Sequence, residues 1–139
     1  MKRRIQTPAP RQGKNVKLAE SHNKLPDFTH PVFCFKYLHK DYGLEQCSDQ
    51  EKKSLIEQII QISRCDWHKL QLSPRHGIGS EKIEISSLRN GVSIPYDLTE
   101  DVNFLIAFRF DGMKPIIGHR NKFIFHVFFI DRDFTLYRH

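Results

Sequence analysis

The sequence predicts an α+β domain in which two helices pack on one face of an antiparallel sheet. Three observations carry the prediction. A capping box opens an amphipathic run near residue 48, three strongly apolar alternating runs crowd into 103–130, and only the turn signals "DGMK" and "NK" separate those runs. Connections so short force antiparallel neighbours, so the three runs form a meander. At 139 residues the chain should hold a single core.

Taken in order, residues 1–27 read as a disordered basic arm, and 28–139 as the folded domain. The arm carries Pro8, Pro10 and Pro26 and few large apolar residues, too little to offset its chain entropy. Order begins at "HPVFCFKYL" (30–38), where alternation and Pro31 at the first position fit a strand. In "SDQE" (48–51), Ser48 can cap the exposed amides while Glu51 reaches back to the Ser48 amide. Leu55, Ile56, Ile59, Ile60 and Ile62 then make the apolar stripe of a first helix. "DWHKLQL" (66–72) reads as a short second helix starting at Asp66, turning Trp67 and Leu70 inward and stopped by Pro74.

"EKIEIS" (81–86) is a strand by alternation, and "NFLIAFRF" (103–110), "PIIGHR" (115–120) and "FIFHVFFI" (123–130) make the meander. "TLYRH" should add a short edge strand. The order is thus β-α-α-β-β-β-like.

Charge and cysteine content narrow the function. Of the net +6, residues 1–28 supply +5: seven Lys or Arg (Lys2, Arg3, Arg4, Arg11, Lys14, Lys17, Lys24) against Glu20 and Asp27. Such an arm is either a solvated tail or a tether adding phosphate affinity without sequence specificity. Cys34, Cys47 and Cys65 are odd in number and lack metal-binding spacing, so neither a disulfide framework nor a zinc site is expected. With no run of 18 apolar residues and no secretory leader, a reducing cytoplasm and no membrane contact are the expectation.

Period-2 alternation sorts the meander's side chains. Phe123, Phe125, Val127 and Phe129 should share one face with Phe104, Ile106, Phe108 and Phe110, and the helices should cover it. The other face should gather His126, Arg109 and either His119 or Arg120. Read alone, His126 fits a hydrogen-bonded core residue better than a catalyst. Read together, Arg109, His119, Arg120, His126, Tyr137, Arg138 and His139 bring imidazoles for proton transfer and guanidiniums for phosphate into one short stretch of chain. The loop "SPRHGIGSEK" (73–82) offers Arg75, His76, Glu81 and Lys82 as further groups, with Gly77 and Gly79 making turns.

The element order, with "IAFRF", "PIIGHR" and "TLYRH" holding basic residues and a terminal Tyr and His, resembles the RelE/ParE superfamily of bacterial toxins over residues 30–139. The likeness is to its RelE and YoeB messenger-RNA interferases. The basic arm, the absence of a lysine-rich helix face and the long segment from Ser73 to Asp101 depart from that pattern.

The resemblance implies a cytoplasmic, toxin-like endoribonuclease of a toxin–antitoxin or phage-defence system, cleaving RNA without a metal or other cofactor. It assigns catalytic work to Arg109, His119, Arg120, His126, Tyr137 and His139, and RNA contact to Arg75, His76, Lys82 and Arg138. RNA (ribosome-bound messenger included) and a cognate antitoxin of protein or RNA are the partners it implies. The alternative is a non-enzymatic module that binds nucleic acid or protein through the same meander.

Overall fold

A computed structural model describes residues 28–73, 78–94, 98 and 101–137. The expected arm, 1–27, lies outside the described residues. Among the described residues, five strands form one sheet: β1 (Val32–Cys34), β2 (Ser80–Glu84), β3 (Phe104–Asp111), β4 (Lys114–Asn121) and β5 (Ile124–Ile130). Their order is β1-β5-β4-β3-β2. Every neighbouring pair is antiparallel except β1 with β5, which run parallel. With two helices between β1 and β2, this is the α+β architecture expected.

The first helix, α1 (Asp49–Ser63), starts as its sequence dictates. The Glu51 amide donates to Ser48 Oγ at 3.2 Å, and the Ser48 amide donates to Glu51 Oε1 at 2.9 Å. Leu55 and Ile62 are buried against the sheet and Ile59 partly so. Ile56 and Ile60 stay exposed, so the buried stripe is narrower than the five residues expected from sequence. The second helix, α2 (Trp67–Leu72), is capped by Asp66, whose carboxylate accepts from the His68 amide. Its Trp67 is buried, and the indole N–H donates to the Phe123 carbonyl at 3.0 Å.

Three elements differ from the sequence expectation. The first strand pairs over only Val32–Cys34, because the chain turns away after Cys34. "EKIEIS" leaves the sheet early, with Ile85–Ser87 forming a 3-10 turn. "TLYRH" forms no edge strand among the described residues; Tyr137 makes a single antiparallel bridge to Leu88.

A β-bulge corrects the face assignment. Ile117 pairs with Phe129 but Gly118 pairs with Val127, which leaves Phe128 as the extra residue of β5. Alternation slips by one beyond it. Phe128 and Phe129 therefore both join the face away from the helices, and Ile130 turns to the helix side. Gly118 makes the close approach possible: a Cβ there would sit 2.0 Å from the His126 carbonyl oxygen.

The face away from the helices is not the open, cation-lined surface that the sequence suggested. Leu105, Ala107, Ile117, Phe128 and Phe129 are buried there beneath Leu136 and Tyr137. Tyr37, Tyr42, Ile85, Leu88, Val92, Ile94 and Leu98 complete this second core. The described residues between β2 and β3 thus form a covering layer, held partly by the Arg89 amide donating to the Leu136 carbonyl.

Candidate nucleic-acid site

The residues expected to converge are divided among three environments. Arg109 is only 7% exposed on the second face. Its guanidinium is bound on several sides: Nη2 to Glu81 Oε2 at 2.5 Å, and Nη1 to the Met113 carbonyl at 2.7 Å and to Tyr137 Oη at 3.3 Å. The sequence grouped Glu81 with the loop 73–82, apart from Arg109; β2 pairing against β3 brings the two together. Tyr137 is buried over the same cluster, and burial pushes its phenol pKa up. These groups clamp the end of the sheet.

His126 and His119 occupy the other end of that face. They are register partners across β4 and β5, and His126 lies buried against the Tyr37 ring at 5.7 Å between centroids. Arg109 pairs with Pro115, four residues from His119 along β4, which is about 13 Å of strand. The buried Ile117 lies between them. Arg109 and the two histidines therefore do not form one constellation.

Burial lowers the His126 pKa. For His119, burial is the larger cause and the charge of His126 the smaller, and both hold the pKa below the ordinary 6.5. Both imidazoles are therefore neutral at pH 7, and a neutral imidazole can act as a base.

Arg120 lies on the opposite, helix-side face. Its guanidinium carbon sits 4.4 Å from the centre of the Trp67 ring, and its Nε donates to the Lys122 carbonyl at 2.6 Å. Two contacts thus fix the guanidinium plane while Nη1 and Nη2 keep their donors.

These positions bring two of the expected residues together. Lys82 from β2 and Arg120 from β4 line one helix-side cavity of about 300 Å³, which His119 borders along β4 while its imidazole lies on the other face with His126. Val102, Phe104 and Ile106 form its apolar side; Gln71, Ser80 and Asp101 add polar groups. The Lys82 ammonium lies 4.6 Å from the centre of the Phe104 ring, which is 41% exposed. Phe104, Trp67 and Ser80 were missed as site residues because their sequence patterns read as core or turn. Their arrangement follows from the pairing of Lys82 with Ile106, a long-range register that no sequence pattern signals.

Arg75, His76, Arg138 and His139 lie outside the described residues. Among the described residues, no group of three or more His, Cys, Asp or Glu could hold a metal ion, and no helix is long and apolar enough to cross a membrane. The three cysteines are free thiols.

A larger groove of about 600 Å³ lies between His39–Tyr42, the Arg89–Ser93 turn and Ile130–Thr135. Its floor is committed to structure. The buried Asp131 carboxylate accepts from the Thr135 and Leu136 amides, and Arg132 is paired with Glu51 and Asp133. Its charged lining of three cations and three carboxylates offers no net attraction to a polyanion.

The fold and cavity define a small α+β domain with a cationic, aromatic-lined pocket at one end of a five-stranded sheet. No protein-family model, curated protein or solved structure matches the chain.

Proposed function

We propose that this protein is a toxin-like endoribonuclease that engages RNA at the Lys82–Arg120 cavity. The observation that carries the reading is the meeting of two cations in one pocket beside an exposed aromatic ring. Cations answer a phosphodiester and a π-face answers a base.

In the cleavage reaction a base takes the proton of a ribose 2′-hydroxyl, and the oxygen attacks the adjacent phosphorus. Lys82 and Arg120 stabilise the charge gathering on the non-bridging oxygens. The P–O5′ bond breaks, and the protonated base returns its proton to the leaving 5′-oxygen. The products are a 2′,3′-cyclic phosphate and a 5′-hydroxyl. In a toxin setting the protein works in the cytoplasm, on free or ribosome-bound messenger, and is silenced by a cognate antitoxin of protein or RNA.

A second reading, RNA binding without cleavage, is favoured by one observation: Arg109 and Tyr137, both expected to be catalytic, are consumed in a buried structural cluster. Incubation of end-labelled single-stranded RNA with purified protein separates the two. Cyclic-phosphate ends that disappear in Arg120→Ala support the enzyme. Intact RNA whose retention depends on Lys82 supports the binding module, and RNA neither bound nor cut refutes both.

A further inference from the structure

We infer that the apolar side of this cavity is a base-binding shelf, so that the site takes one unpaired nucleotide with its base against Phe104 and its phosphate between Lys82 and Arg120. The inference rests on the RNA reading of the cavity and adds to it the part of the nucleotide that is recognised.

Phosphate contact alone needs only cations. Here Val102, Phe104 and Ile106 stand together on the wall that Lys82 and Arg120 border. Phe104 opens β3, where the pattern of the strand would bury an aromatic, yet its ring stays 41% exposed. The ammonium over that ring marks an accessible, electron-rich face. A bound phosphate draws the ammonium towards itself and leaves the ring for a base. Arg120, fixed by Trp67 and the Lys122 carbonyl, cannot follow the ligand freely and sets where the phosphate sits. A space of about 300 Å³ suits one nucleotide and excludes a duplex, whose stacked bases present no π-face.

The test uses full-length protein and short 2′-O-methyl oligonucleotides, which cannot be cleaved by attack of the 2′-oxygen. Binding of an oligouridylate is compared with that of an abasic ribose-phosphate oligomer of equal length. The base-bearing strand should bind about five- to a hundredfold more tightly, the range of one stacked base. Phe104→Ala should erase that preference and Phe104→Trp keep it, while Lys82→Ala weakens both strands alike. If a Phe104 variant fails to fold, the wild-type comparison alone decides. Equal binding of the two strands that still depends on Lys82 would overturn the shelf and leave the RNA reading standing. No binding of either strand would overturn both.

Discussion

Replacing Glu51 by alanine should produce the largest loss of stability of any single surface-linked change in α1. Its carboxylate is only 3% exposed, and it joins three parts of the molecule. It accepts from the Ser48 amide at the helix start, lies within 3.0–3.1 Å of Arg132 after β5, and sits 3.4 Å from Lys114 at the β3–β4 turn. The Ser48 amide is the first cause holding the carboxyl pKa at about 2, against an ordinary 4.5, with Arg132 and Lys114 adding to it.

Removing one partner of a fully buried pair costs about 3–5 kcal/mol. Arg132 and Lys114 retain side-chain exposures of 34% and 26%, so water recovers part of that cost. A loss of about 2–3 kcal/mol remains, or about 8–12 °C in melting temperature for a domain of this size.

The acid limb gives the sign. A carboxyl whose folded pKa is depressed stabilises fully above its unfolded value of 4.5 and loses that contribution as pH falls through about 2. The gap between wild type and Glu51→Ala, followed by circular dichroism, should be full at pH 7 and narrow steadily below pH 4.5. A gap under about 1 kcal/mol at pH 7, or one unchanged down to pH 2, would refute the reasoning.

Gly118→Ala should cost at least about 3 kcal/mol in urea unfolding, because the new Cβ meets backbone at the bulge rather than a movable side chain. His126→Phe should stay within about 1 kcal/mol of wild type at pH 7, since it removes a polar ring from an apolar site, and should leave RNA cleavage intact. With histidine pKa values lowered from 6.5, the unfolded chain takes protons first, so wild-type stability is complete above pH 6.5 and declines below it. His126→Phe should flatten that decline, which thermal melts across pH 5–7 would reveal. Deleting residues 1–27 should weaken RNA binding chiefly at low salt, lowering the salt slope by up to about 3.5 for the five net charges lost.

The legible parts of this fold were those fixed by near neighbours in sequence. Ser48 and Glu51 lie three residues apart and close a hydrogen-bonded ring that fits only a helix start. The alternation of Phe104, Ile106 and Phe108 needs only the pleat to be understood; Ile106 and Phe108 pack on the helix side, while Phe104 stays exposed at the start of the strand. The parts that escaped depend on distant chain. The slip at Phe128 follows from β4 pressing Gly118 against β5, which alternation within β5 does not encode. Arg109 read as an available cation because its partner, Glu81, is 28 residues away and arrives only through strand pairing. The second core was hidden because Leu88, Val92, Ile94 and Leu98 follow neither a helical nor a strand period. Lys82 and Arg120 were each named from residue type; their meeting is a product of β2, β3 and β4 lying side by side.

Ultraviolet crosslinking of the full-length protein to a photoreactive single-stranded RNA, with the attached peptides located by mass spectrometry, tests the central claim most directly. Crosslinks should fall on the segments bearing Lys82, Phe104 and Arg120, and excess unlabelled single-stranded RNA should abolish them. Crosslinks confined to the His39–Tyr42 and Ile130–Thr135 groove, or none above background, would contradict the account.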